Sequence, residues 1–143
     1  MFQKDYILRM IEMIGDLIAA ILGLIKKGDP EQAEKLLERG YYELLRHEAS
    51  FFQMIPKEQL THTLISEHHF LNGHLEVLAE LFFAEAMLRE SQNRIANCLV
   101  YYEKSLILLE FLEQEDKTWS KKREERMSLL KERIQALSER KTI

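Results

Sequence analysis

RIANCLVYYEKSLILLEFLE, residues 94–113, decides the fold. Its apolar residues recur in steps of three and four, the period of one helix face. The spacing predicts a helix burying Ile95, Cys98, Leu99, Tyr102, Leu106, Leu109 and Phe111. Straight-chain residues dominate it, and these lose little rotamer freedom in a helix. An amphipathic helix of this length needs neighbours, and the flanking sequence supplies them.

Upstream, residues 73–89 predict a helix with Leu75, Leu78, Ala79, Phe82, Phe83, Ala86 and Met87 facing inward. Ser91-Gln92-Asn93 is its turn, so residues 72–113 form a second hairpin. The first hairpin covers residues 2–46. In helix 2–27 the charges Asp5, Arg9, Glu12 and Asp16 form one thin stripe, and nearly everything else is apolar. Such a helix must be covered on two sides, by the chain or by a second copy. Lys26-Lys27-Gly28-Asp29-Pro30 is the clearest punctuation: basic residues and a left-handed glycine to stop one helix, then a cap and a first-position proline to start the next. That next helix, 30–46, buries Ala33, Leu36, Leu37, Gly40, Tyr41, Leu44 and Leu45.

Residues 47–71 form a connection. Phe51, Phe52, Met54 and Ile55 make an apolar knot, and Pro56 opens a short helix to about Ile65. Downstream, residues 118–140 predict an edge helix. Its seam of Met127, Leu130, Ile134 and Leu137 is narrow, like that of a coiled coil. Thr118 is placed as its cap and Trp119 as its anchor.

The 143 residues suit one domain, with 46% hydrophobic and 31% charged residues and few glycines or prolines. The net charge of −4 is uneven. Residues 1–115 hold 11 Lys/Arg against 19 Asp/Glu, and residues 116–143 hold 9 against 5. An acidic body repels the phosphate backbone, so nucleic acid is not an expected partner. Lys121-Lys122-Arg123, interleaved with Glu124 and Glu125, reads as a solvated helix face. The run Leu17–Ile25 follows acidic residues and is too short for a membrane span. The single cysteine, Cys98, rules out an internal disulfide framework and fits a reducing, cytoplasmic compartment.

The residues Leu17, Ala20, Leu24, Gly28-Asp29, Ala33, Leu37 and Gly40, echoed by Cys98, Tyr102 and Ser105, resemble tetratricopeptide (TPR) repeats. Small residues at Ala33, Gly40, Cys98 and Ser105 allow close helix approach. The resemblance implies an all-α fold of TPR-like antiparallel hairpins, about five helices plus a short connecting helix, wound as a right-handed superhelix. It departs from the repeat in spacing, since Ala33 and Cys98 lie 65 apart where units recur about every 34 residues. The opening Phe2-Gln3-Lys4-Asp5-Tyr6-Ile7-Leu8-Arg9-Met10-Ile11 also resembles an uncharacterised bacterial family of unknown function. That likeness implies a bacterial cytoplasmic protein and no activity.

No catalytic motif is present. The glycines at 15, 23, 28, 40 and 73 cannot form a dinucleotide loop or a P-loop. No histidine is preceded three residues earlier by glutamate, as a ferritin-like di-iron site requires. His62, His68, His69 and His74 are the only candidate metal ligands, and their spacing matches no ligand motif. Cys98 reads as a buried, inert small hydrophobe. Tyr41-Tyr42 and Tyr101-Tyr102 read as packing between hairpins. The expectation is therefore a non-enzymatic interaction scaffold without cofactor, binding a protein or peptide and forming a homodimer. Its candidate surface is Ile11, Ile14, Ile18 and Leu22 with Leu78, Phe82 and Phe83. Two rivals stand beside it: a regulatory domain sensing a small apolar ligand between hairpins, and a metal-binding protein using the histidines.

Overall fold

The computed structural model describes residues 2–115 and 120–142. Every regular element among them is helical: α1 (Phe2–Lys26), α2 (Pro30–Leu45), α3 (Ala49–Gln53), α4 (Leu60–His62), α5 (Asn72–Ser91), α6 (Ile95–Glu115) and α7 (Lys121–Thr142). A 3-10 turn, Lys57–Gln59, precedes α4 and a π turn, Thr63–Glu67, follows it. Thr118 and Trp119 lie outside the described residues.

The turns follow the local chemistry. Gly28 is left-handed, with φ +80°. Asp29 N–H donates to Leu24 and Gly28 N–H to Ile25, the paired bonds of a Schellman stop. Asp29 then accepts from Gln32 N–H through its carboxylate, with Pro30 in the first turn. Asn93, also left-handed, ends α5 with the same bond pattern, through Asn93 to Glu90 and Arg94 to Arg89.

The helix at the centre is α5, not the 94–113 helix. It packs on α1, α2 and α6, while α7 packs along α6 and reaches α5 through its arginines. Residues 77–86 of α5 are all buried. The inward stripe expected from the sequence is only part of it, because Val77, Leu81, Ala84 and Leu88 are buried too. In α6 the buried set is Cys98, Leu99, Tyr101, Tyr102, Lys104, Ser105, Leu108, Leu109 and Leu112. Ile95, Leu106 and Phe111 are half-buried, because a second covering helix, α7, shifts the buried arc towards Leu108 and Leu112.

Close approach depends on small residues. A Cβ at Gly40 would lie 2.6 Å from Leu17 Cδ2 and 3.3 Å from Leu81 Cδ2, so α1, α2 and α5 meet there. A Cβ at Gly73 would overlap Ile7. Ser105 Oγ donates to the Ala79 carbonyl at 2.7 Å, joining α6 to α5.

The charge imbalance along the sequence is largely settled inside the fold. Arg126 makes a two-pronged bond to Glu80, at 2.8 and 2.9 Å. Arg133 reaches Glu90 at 3.2 Å. Arg123 is buried and pairs with Glu113 and Glu76, contrary to the solvated face expected for Lys121-Lys122-Arg123. The basic tail supplies the counter-charges of the central helix.

Candidate functional site

Glu85 organises one end of the molecule. It sits in an otherwise apolar stretch of α5 and is 4% exposed. Its carboxylate accepts from Tyr41 Oη at 3.2 Å, Gln53 Nε2 at 2.8 Å and Arg89 Nε at 3.0 Å. A buried carboxylate persists only with such partners. Burial, reinforced by the adjacent carboxylate, holds the Tyr41 phenol well above its usual range, so it stays a donor. The Arg89 guanidinium also covers the Tyr101 ring at 5.1 Å. Beside it, buried Lys104 donates to the Gln53 carbonyl at 3.0 Å and lies over the Phe82 and Tyr101 rings. The network therefore ties α2, α3, α5 and α6 together.

Above this network, α2 and α3 enclose an open groove of about 680 Å³. Gln53 and Arg89 line it, with Glu34, Glu38, Tyr42 and Glu48 around them. Two of these features left a trace in the sequence: Glu34 and Glu38 are like charges at i,i+4, and Glu85–Arg89 is an i,i+4 ion pair on an apolar helix. The meeting of the two elements left none, because Tyr41 and Glu85 are 44 residues apart.

A second surface follows α1. Met10, Ile14, Ile18 and Ile21 form its one buried stripe, whereas Tyr6, Leu8 and Met13 are 48%, 52% and 54% exposed. Met13, Leu17, Ala20, Leu36 and Gly40 line a shallow groove of about 370 Å³ along α1 and α2, with Asp16 and Arg39 at its rim.

The candidate surface read from the sequence lies mostly in the core. Ile14, Ile18, Leu78, Phe82 and Phe83 are buried, and Ile11 and Leu22 half-buried. The reason is that α5 is covered on all sides, so no concave face opens at Leu78, Phe82 and Phe83.

Three of the histidines, His47, His68 and His74, lie in an aromatic cluster, with the His47 and His68 rings 5.5 Å apart. His47 stacks on Phe51 at 4.1 Å, His68 meets Phe51 edge-on at 4.8 Å, and His74 lies 5.3 Å from Phe70. Among the described residues no group of three or more His, Cys, Asp or Glu is placed to hold a metal ion. Cys98 is buried, donates to the Ile95 carbonyl, and is pushed up to about 11 by burial. A thiol so placed is a poor nucleophile. Tyr102 is enclosed, donating to Glu90 at 2.7 Å, while Tyr42 is 56% exposed.

His74 has a separate task. Its Nδ1 accepts the Leu71 N–H at 3.0 Å at the start of α5, an orphan helix donor. Burial lowers its pKa from the ordinary 6.5. The unfolded chain therefore takes up the proton first, and stability is complete above pH 6.5 and falls as pH drops towards the folded value. Glutamine at this helix position can accept the same bond without titrating. We expect the wild-type Tm to fall between pH 7.5 and 5.5, and His74→Gln to make that fall shallower, with His47, also lowered by burial, accounting for part of the remainder. Parallel declines in the two proteins would show that His74 does not titrate with folding.

Among the described residues, no helix is long and apolar enough to cross a membrane. No protein-family model matches the chain, nor does any curated protein or solved structure.

Proposed function

We propose that the chain is a non-enzymatic, TPR-like scaffold that binds protein segments and pairs with a second copy of itself through α1. In this reading α1–α2 and α5–α6 are two adjacent hairpins of a right-handed helical array, α7 closes one end, and the setting is cytoplasmic. The packing of α1 and α2 against α5 supports the hairpin pairing.

The observation that carries self-association is the exposure of Tyr6, Leu8 and Met13 on a helix with only one buried stripe. Of these, Met13 continues into the apolar lining of the α1–α2 groove, Leu17, Ala20, Leu36 and Gly40, and apolar surface beside a groove marks an interaction site more often than a bare exterior. A two-fold axis over the α1–α2 groove brings like surfaces together, the commonest arrangement of soluble oligomers. It also lets Asp16 of one copy meet Arg39 of the other. Among the described residues Arg39 is held only by an exposed i,i+4 pair with Glu43, at 3.5 Å, and such a pair contributes ~0.3–0.5 kcal/mol and exchanges readily.

Light scattering across a concentration series tests this. The expected mass is twice the 17.0 kDa of the chain. Met13→Glu, a change at an exposed site, is expected to give the single-chain mass with unaltered helical circular dichroism. A single-chain mass for the wild type at every concentration would remove self-association.

A further inference from the structure

We propose that the groove between α2 and α3 takes a cationic peptide segment, Lys- and Arg-containing, of another protein. The inference rests on reading the chain as an interaction module but not on its pairing with itself.

The groove holds two bases and both are already matched within the chain. Arg39 pairs with Glu43, and Arg89 with Glu85. Glu34, Glu38 and Glu48 line the same groove with no ion pair among the described residues. Three unmatched carboxylates remain around one cleft. Two of them, Glu34 and Glu38, repel each other at i,i+4 on α2, an arrangement that weakens a helix. Elsewhere Glu76, Glu80, Glu90 and Glu113 are paired with Arg123, Arg126 and Arg133 of α7. Here three carboxylates without such a partner line a single cleft.

The carboxylates do not converge on one ion, since among the described residues no three acidic or imidazole groups are placed to hold a metal. Their spacing suits separated positive charges carried along a chain. The rest of the lining fits a peptide as well. Tyr42 presents an exposed ring to the groove, a surface on which a guanidinium or ammonium packs. Arg89 spends Nε on Glu85 and its face on Tyr101. Its terminal NH2 groups have no protein partner among the described residues, and so can donate to a backbone carbonyl. Gln53, fixed through its amide nitrogen to Glu85, offers its amide oxygen to a backbone N–H. A floor anchored to a buried carboxylate is preorganised, which lowers the ordering cost of binding.

The test uses the full chain and a fluorescein-labelled decapeptide of alternating arginine, lysine and alanine, followed by anisotropy. A triple variant, E34Q/E38Q/E48Q, is compared with a control of equal charge change at exposed sites outside both grooves, E67Q/E110Q/E132Q. The wild type is expected to bind the peptide, and not a glutamate-rich peptide of equal length. The groove triple is expected to weaken binding about tenfold, as three ion pairs of ordinary strength would, and the control by less than about threefold at the same ionic strength. Equal losses in both triples would mean diffuse attraction to an acidic protein and would overturn the assignment, as would no binding by the wild type. Light scattering on the same samples separates the two ideas. A dimer that ignores the peptide sinks the groove assignment and leaves the scaffold reading standing.

Discussion

Replacing Phe82 by alanine is expected to remove ~4 kcal/mol of stability, within the ~3–5 kcal/mol of buried Phe→Ala changes. The ring is wholly buried at the middle of α5. It lies 6.4 Å from the Tyr41 ring, 5.7 Å from Tyr101 and 5.7 Å from the Lys104 ammonium. Alanine would leave a cavity between α2, α5 and α6 that cannot collapse, because the Glu85 network fixes those helices one turn away. It would also expose a buried ammonium to an empty space in place of a ring face, adding ~0.5–1 kcal/mol. At ~2–4 °C per kcal/mol for a chain of this size, Tm should fall by roughly 10–15 °C. Urea denaturation followed by circular dichroism measures it. Phe82→Leu keeps most of the volume and is expected to cost a third as much or less. If Phe82 lined an open binding face instead, the alanine variant would lose less than ~1 kcal/mol, the usual scale of surface changes.

The contrast marks where sequence reading succeeds. Punctuation is local: Gly28, Asp29 and Pro30 carry their turn within five residues, and Asn93 ends α5 close to where Ser91-Gln92-Asn93 predicts. Helix identity is also local, so the hairpins 2–46 and 72–113 and the connection between them are legible. Periodicity shows which residues share a face. It does not show how many faces are covered. The pattern places Leu75, Leu78, Phe82 and Ala86 on one inward face and is silent about the opposite one. The structure covers both sides, and this depends on α7 and α2, which are distant in sequence.

Charged residues hid the rest. Glu80 and Glu85 sit among apolar neighbours on α5, where a glutamate ordinarily marks a solvent face. Both are buried because a partner arrives from 46 and 44 residues away, Arg126 for the first and Tyr41 for the second. Arg123 in Lys121-Lys122-Arg123 misleads for the same reason. The groove was legible only as fragments. Glu34 and Glu38 show their repulsion in the sequence, but nothing local brings Glu48, Gln53 and Arg89 opposite them.

Arg126→Ala is the complementary case, a charged residue whose loss should approach that of a core ring. Its guanidinium grips Glu80 with two parallel bonds and lies 3.8 Å over the Phe83 ring. Glu80 is only 8% exposed. Alanine at 126 strips the carboxylate of its counter-charge while α1, α5 and α7 still keep water away. The expected loss is ~3 kcal/mol, at the lower edge of values for breaking a buried pair, since the Arg126 side chain keeps 22% of its exposure. The attraction is not the source of that loss. Two charges taken out of water repay little, and the penalty falls on the survivor. Glu80→Leu combined with Arg126→Leu should therefore recover most of the stability, giving a coupling of ~2 kcal/mol or more in a double-mutant cycle. Urea melts of the wild type, both single variants and the double variant measure the cycle. The exposed Arg39–Glu43 pair provides the contrast, with a coupling of ~0.3–0.5 kcal/mol. Added salt should weaken that pair and leave Glu80–Arg126 nearly unchanged, because screening acts on solvent-facing charges. Additive single losses at 80 and 126 would mean that α7 is held by Leu130, Leu137 and the rest of its apolar seam alone. The arginines would then set only its register along α5.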